Sequence, residues 1–123
     1  MTLSEIPVEK FIASLWDWAI VDGCFGNTRI KPTDLDGFVE RNGRFLILEG
    51  KRGTTEVKRG QDILHRNAVA SGLFWVVRLW GTPPNKVDRI QVLTPNGEWD
   101  YPEADNRKLR AVVNEWWKWA DNV

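Results

Sequence analysis

Apolar and polar residues alternate on both sides of the pair Asn42-Gly43. This pattern predicts two β-strands, over about residues 34–41 and 44–51, joined by a two-residue turn. Asn-Gly is typical of the type I′ turn, in which both central residues have positive φ. A loop of two residues fixes the pairing of the strands, so we expect Val39 opposite Leu46.

The same register brings charged residues together at the open end of the predicted hairpin. It places Asp36 opposite Glu49 and Asp34 opposite Lys51. Because paired residues share a face of the sheet and alternate residues return to it, all four side chains are expected on one face. Two acids directly opposite each other repel. Either Lys51 neutralises them in a structural ion pair, or a divalent cation such as Mg²⁺ binds Asp36 and Glu49, with the Gly50 carbonyl as a third ligand.

Hydrophobic periodicity and turn residues predict the other elements of the chain. They are a first helix from Ser4 to about Asp22, a loop over 23–33, a loop or short exposed edge strand over 51–60, and a second helix over 61–71. Strands over 73–80 and 88–94, a turn over 95–97 and a last helix over 103–120 follow. The sequence therefore predicts one α/β domain over residues 1–123, with a mixed β-sheet flanked by helices in the order αββαββα. Most of the eight tryptophans are expected in its core.

The hairpin motif resembles that of the PD-(D/E)XK nuclease superfamily. The residues that carry the resemblance are "PTDLDG" (32–37), then "LEGK" (48–51) after the turn, and Gln61 at the start of the next helix. The order of elements up to residue 94 is also similar to the restriction-endonuclease-like core. The small stand-alone members it most resembles are Holliday-junction resolvases and VRR-type nucleases, many of them encoded by phages.

The resemblance implies a Mg²⁺- or Mn²⁺-dependent deoxyribonuclease. Asp36 and Glu49 would bind the metal, Lys51 would assist the attacking water, and Gln61 would orient water or a phosphate. The family's Pro-Asp pair is interrupted here, so Asp34 is an alternative or additional metal ligand. Many members use a further acid from the first helix, for which the candidates are Glu5 and Glu9.

The net charge is zero, but basic residues are concentrated around the hairpin. Within residues 41–66, seven Lys and Arg outnumber three acids, which indicates a surface that faces phosphates. The expected DNA contacts are Arg52, Lys58, Arg59 and Arg66. The single histidine, His65, shares a helix face with Gln61, and we interpret it as a packed or solvated helix residue rather than a catalytic group.

Three further expectations concern the setting of the protein. The single cysteine, Cys24, excludes an internal disulfide and is expected to be a small buried residue. The chain has neither an apolar run long enough for a membrane span nor a signal-peptide pattern, so we expect a cytoplasmic protein. A two-fold homodimer would suit cleavage of two strands.

Two other functions fit the same residues. The domain could be a non-catalytic module that binds nucleic acid or protein on the same scaffold, for example a phage-encoded regulator. It could also be a purely structural α/β domain with a surface ion-pair cluster.

Overall fold

The computed structural model describes residues 7–10 and 15–123. The chain divides into two compact units, residues 1–33 and 34–123. This division does not test the prediction of a single domain. It also does not test the prediction of an acid from the first helix, and Glu5 lies outside the described residues. None of the helices among the described residues is both long and apolar enough to cross a membrane.

The first unit differs from its predicted helix. Residues 8–10 are helical, but residues 15–17 are not, and a short 3-10 helix follows over Trp18–Val21. The Asp17 side chain accepts a hydrogen bond from the Ala19 N–H (3.0 Å) and so begins a new element where the prediction had one helix continue. Ser4, the predicted cap, lies outside the described residues.

The predicted loop that follows is confirmed, whereas the predicted burial of its cysteine is wrong. Residues 22–33 contain no helix or strand. Cys24 is exposed because it lies in this turn, between Gly23 and Gly26, which both have positive φ.

The second unit is a five-stranded sheet with one helix on each face, which confirms the α/β class. Its elements are β1 (Gly37–Arg41), β2 (Arg44–Arg52), α1 (Arg59–Ala70), β3 (Phe74–Thr82), β4 (Lys86–Thr94), β5 (Gly97–Tyr101) and α2 (Asn106–Asp121). The strands lie in chain order, with β2 and β3 parallel and all other neighbours antiparallel. α1 connects the parallel pair, as such a crossover requires.

The prediction had four strands and missed β5, whereas its turn over 95–97 and its last helix over 103–120 are confirmed. The "PNG" turn folds β5 back onto β4, with Thr94 opposite Gly97. The alternation in this strand is short and polar. Glu98 and Asp100 alternate with Trp99, and all three are exposed, so an apolar pattern could not reveal the strand.

The register of the β1–β2 hairpin is confirmed. Val39 pairs with Leu46, and the turn residues Asn42 and Gly43 have φ of 54° and 77°, as a type I′ turn requires. The turn also contacts the end of α2, where the Asn42 side-chain amide donates to the Ala120 carbonyl (3.1 Å). One of the last carbonyls of the helix is thereby satisfied.

Each face of the sheet has its own apolar core. On one face, α2 packs Val112, Trp116 and Ala120 against Leu46, Val77 and other buried residues. On the other, α1 packs Leu64, Ala68 and Val69 against Ile47, Val76 and Leu93. Trp116 is 1% exposed, as predicted for the core, whereas Trp117 is 44% exposed.

Candidate functional site

Glu49 and Lys51 lie on the α1 face of the sheet, near the end of β2. Side chains alternate along a strand, and Ile47 packs into the α1 core, so residues 49 and 51 return to the same face. The Glu49 side chain is only 6% exposed and that of Lys51 11%. The Lys51 Nζ atom lies 3.8 Å from Glu49 Oε1, and both charges are therefore largely removed from water.

Gln61 connects these two side chains. Its Nε2 donates to Glu49 Oε1 (2.6 Å), and its Oε1 accepts a hydrogen bond from Lys51 Nζ. Gln61 is the third residue of α1, so the start of the helix fixes its position above β2. The structure thus brings together three of the four residues predicted for the catalytic machinery.

Asp36 is the fourth, and it lies one residue before β1. The ladder ends at the pair Gly37–Leu48, so Asp36 is not part of a paired strand. Its Oδ2 instead accepts a hydrogen bond from the Gly50 N–H (2.8 Å), which holds the carboxylate next to the Glu49–Lys51 segment. Within the described residues, no hydrogen bond or ion pair joins Asp34 to this group.

The electrostatic state of Glu49 follows from its surroundings. Desolvation by burial and the neighbouring charge of Asp36 raise the pKa of its carboxyl above the usual value, while Lys51, Gln61 and Arg78 act in the opposite direction. Its Oε2 atom is buried and has no hydrogen-bond partner among the described residues. An orphaned carboxylate oxygen of this kind is costly, and a bound cation would satisfy it.

A second polar cluster adjoins the site, and it was not predicted from the sequence. Arg78 on β3 pairs with Glu49 across the parallel ladder and is 4% exposed. Its guanidinium donates to Asp62 Oδ1 (2.7 Å), His65 Nδ1 (3.0 Å) and Gln91 Oε1 (3.3 Å). The one signal in the sequence is the single charge within the apolar run "LFWVVRLW".

His65 is a packed helix residue, as predicted. It is 1% exposed, and burial together with the Arg78 charge lowers its pKa to about 4. It is therefore neutral at pH 7, and its Nδ1 serves as an acceptor for Arg78.

This burial predicts a pH dependence of stability. His65 in the unfolded chain protonates as the pH falls through about 6.5, whereas in the folded protein it does so only near pH 4. Between these values the unfolded state binds the extra proton, so His65 should lower the free energy of unfolding by about 3 kcal/mol from pH 7 to pH 4. Urea unfolding across this range, with NMR titration of the single histidine, measures the effect.

The matched variant is His65→Asn, which retains an acceptor for Arg78 but does not titrate. Subtracting its pH profile from that of the parent cancels Glu49, whose raised pKa acts in the opposite direction. Parallel profiles for the two proteins would contradict the assignment.

The predicted DNA contacts differ in their availability. Arg52, Lys58 and Arg59 are exposed. Arg66 is exposed too, but it forms ion pairs with Asp62 (3.0 Å) and with Glu98. These two acids raise the pKa of Arg66, so it stays charged, but their negative charges offset its positive charge. Arg66 is therefore the weakest of the four as a phosphate contact.

A pocket of about 360 Å³ opens beside Asp36, Gly50, Lys51 and Arg52. Its opposite wall is the β3–β4 hairpin, residues 82–86. Of the residues described above, Asp36 and Lys51 line this pocket, whereas Glu49 and Gln61 do not.

Among the described residues, no group of three or more His, Cys, Asp and Glu side chains is arranged to hold a metal ion. At the end of β2, the second unit provides two carboxylates, those of Asp36 and Glu49, as candidate metal ligands. Comparison of the chain with protein-family models, curated proteins and solved structures found no significant match. Function is therefore inferred from the geometry of the site.

Proposed function

We propose that the protein is a metal-dependent nuclease that hydrolyses DNA phosphodiester bonds. The observation that carries the proposal is the buried Glu49 Oε2 atom, which has no partner among the described residues. It lies in a group that also contains a second carboxylate, Asp36, and the ammonium of Lys51. The PD-(D/E)XK superfamily, with its restriction-endonuclease-like order of elements, combines the same residue types across a β-hairpin.

The residues fit Mg²⁺ or Mn²⁺. These ions take oxygen ligands, commonly one or two carboxylates completed by water and substrate phosphate. Glu49 Oε2 and the Asp36 carboxylate would hold the ion, with the carbonyl of Gly50 beside them and Asp34 as a candidate outer group. When bound, the ion would lower the pKa of a coordinated water and polarise the phosphate.

Lys51 and Gln61 would supply the remaining chemistry. The Lys51 ammonium is nearly buried, and a donor in a site of low dielectric stabilises developing phosphorane charge strongly. It would also orient the attacking water. Both polar atoms of the Gln61 amide are engaged, by Glu49 and by Lys51, so its role in this proposal is to position those two groups.

DNA is the proposed substrate because exposed basic residues follow the site along the chain. Arg52, Lys58 and Arg59 lie between the end of β2 and the start of α1 and would contact phosphates, with Arg66 at the periphery. Such contacts position a duplex without reading its sequence. A two-fold homodimer would let two such sites act on two strands.

The direct test is incubation of the protein with linear, circular and branched DNA in Mg²⁺, Mn²⁺ or chelator. We expect cleavage that requires the divalent ion and stops on addition of chelator. Absence of cleavage on every substrate, with a folded protein and saturating Mn²⁺, would contradict the proposal.

A second candidate function is a non-catalytic nucleic-acid- or protein-binding module. Two observations favour it. One oxygen of Asp36 is already engaged by the Gly50 N–H, and no third acidic, Cys or His ligand lies at the site in the described part of the chain. Binding without cleavage on the same substrate panel would support this function.

A further inference from the structure

The sheet ends at β1 on one side and at β5 on the other. Phe45 of β2, which pairs with Glu40, donates its N–H to the carbonyl of Leu73 next to β3 (2.8 Å), so the Glu40–Phe45 pair is not hydrogen-bonded. Hydrogen-bonded and non-bonded pairs alternate along antiparallel strands. Phe38 and Glu40 therefore both point their backbone N–H and C=O groups away from β2, where no described segment of the chain bonds to them.

The same edge exposes apolar side chains on both faces of the sheet. On the α1 face, Phe38 stacks on Phe45 (ring centroids 5.5 Å apart), and Phe45 stacks on Phe74 (4.8 Å). Phe38 is the outermost ring of this row and is 51% exposed, while Val39 on the α2 face is 39% exposed. Natural edge strands commonly carry charges or bulges that prevent further pairing. An edge with open backbone groups and apolar side chains is instead suited to a further strand.

The sequence of β1 is complementary to a second copy of itself. In a two-fold antiparallel pair centred on Val39, Phe38 lies opposite Glu40 of the partner subunit, and Arg41 lies opposite the partner's Gly37. No like charges are opposed in this register. Phe38 and Glu40 are also the residues with outward backbone groups, so each Phe38–Glu40 pair exchanges both of its N–H···O bonds.

Other self-pairings of the two edge strands oppose acids. Centred on Phe38, β1 would set Glu40 against the partner's Asp36, and centred on Glu40 it would set that acid against itself. In β5, Glu98 and Asp100 are alternate residues, and any pair centred on one of the three middle residues places an acid opposite an acid. Directly opposed like charges destabilise a pair of strands, so β5 is protected from self-association and β1 is not.

We propose that two copies of this chain associate through β1, with Val39 on the two-fold axis, so that their sheets become one. Phe38 and the partner's Phe38 are then diagonal neighbours on one face, within reach of aromatic side chains. The row of stacked rings continues into the second subunit, and its exposed end is covered. The occupant of the edge is therefore a second copy of this chain.

This arrangement has a consequence for the candidate site. The two-fold axis is perpendicular to the sheet, so the α1 faces of both subunits lie on the same side, and each carries its own Glu49–Lys51 group. Two sites on one side could act on the two strands of one DNA substrate, a consequence that rests on the proposed function. The association itself does not depend on it.

The first test is sedimentation velocity of the parent over a range of protein concentrations, without DNA or divalent metal. The interface is one strand of five residues, which is small for a permanent complex. We expect a reversible dimer, seen as a sedimentation coefficient that rises with concentration from the monomer to the dimer value.

A charge exchange at Val39 tests the register. Val39→Glu and Val39→Lys each place two like charges on the axis, so each variant alone should remain monomeric. An equimolar mixture of the two should associate, because the opposed charges then attract. Circular dichroism establishes that each variant is folded, and association of the mixture cannot arise from a fold that is merely damaged.

Cross-linking gives a covalent readout of the same contact. Residues in a non-bonded antiparallel pair have Cα atoms about 4.5 Å apart, within the range that a disulfide spans. Val39→Cys, in a Cys24→Ser background because Cys24 is exposed, should form a disulfide-linked dimer under mild oxidation. Trp99→Cys in the same background is the matched control, a residue of β5 that is 47% exposed, and it should remain monomeric.

Three results would each overturn the proposal. They are a parent that stays monomeric at every concentration, equal cross-linking of the two cysteine variants, and a dimer that persists in Val39→Glu and Val39→Lys alone. A mixture of the two charge variants that associates no more than its components overturns the register as well. None of these assays contains DNA or metal, so their failure leaves the nuclease proposal to its own cleavage test.

Discussion

Lys51→Ala is expected to reduce the rate of DNA cleavage by about 100-fold or more, because loss of a single preorganised donor to developing charge costs about 10²–10³ in rate. The ammonium lies 3.8 Å from Glu49 Oε1 and is nearly buried, so no water or mobile surface lysine can easily replace it. The measurement is single-turnover cleavage in saturating Mg²⁺.

The fold should survive this change. Lys51 is bonded to Gln61 but contributes no side chain to either apolar core. DNA affinity in chelator should fall only slightly, since Arg52, Lys58 and Arg59 remain. Lys118→Ala, at the exposed lysine of α2, controls for loss of a positive charge.

A Lys51→Ala protein that cuts DNA at the parent rate would remove the lysine from the proposed mechanism. A variant that loses cleavage only because it unfolds would lose its helical circular dichroism signal and would not bind DNA. Lys51→Met, which preserves the length of the apolar stem, then separates the two explanations, since it should remain folded and inactive.

The sequence predicted the hairpin because its determinants are local. Asn42-Gly43 specifies the turn, the turn specifies the register, and the register places residues 49 and 51 on one face. Gln61 follows because α1 begins nearby in the chain. These are short-range consequences of turn chemistry and strand alternation.

The parts that the sequence did not predict depend on long-range packing. Arg78 could not be assigned to Asp62, His65 and Gln91 until β3 was known to lie parallel to β2. Lys86 reaches the pocket only through the β3–β4 hairpin. β5 was missed because its exposed alternation is polar, and its pairing with β4 is a property of the whole sheet.

For Asp36, the predicted register was correct but did not determine where its side chain lies. The extended ladder predicted Asp36 directly opposite Glu49, but β1 begins one residue later. The freed carboxylate turns to the Gly50 N–H. It remains close enough for its charge to raise the pKa of Glu49, so the two carboxylates are neighbours, as the proposed metal site requires.

Glu49→Gln is expected to abolish both metal uptake and cleavage. In the parent protein, calorimetric titration with Mn²⁺ should show stoichiometric binding. A free Mn²⁺ concentration of 100 times Kd should increase the free energy of unfolding by about 2.7 kcal/mol and so raise the melting temperature. The variant should show neither effect, because an amide offers the ion no charge and Glu49 Oε2 is the oxygen that lacks a partner.

The metal-free variant should at the same time be more stable than the parent at pH 8. Burial and the Asp36 charge raise the pKa of Glu49, which means that the folded state disfavours the ionised form. This penalty is absent below the ordinary pKa of the carboxyl and is present in full above the raised value. A neutral glutamine removes it, while its oxygen can still accept the hydrogen bond from Gln61.

Proton competition gives the same prediction a second readout. As the pH falls through the raised pKa of Glu49, protons displace the metal, so Mn²⁺ uptake by the parent should weaken at a higher pH than an ordinary glutamate would give. Glu115→Gln, at an exposed acid paired with Lys118, should retain parental uptake. Asp36→Asn should lose it, and Asp34→Asn decides whether Asp34 belongs to the ligand set.

A structural ion-pair cluster makes the opposite predictions on every count. If Glu49 served only to neutralise Lys51, its removal would leave a nearly buried ammonium without its ion-pair partner, and the metal-free variant would be less stable than the parent. The parent would then take up no stoichiometric Mn²⁺ and would show no metal-dependent rise in melting temperature. Stability and metal uptake of one variant thus distinguish a carboxylate retained for binding a cation from one retained for holding the fold.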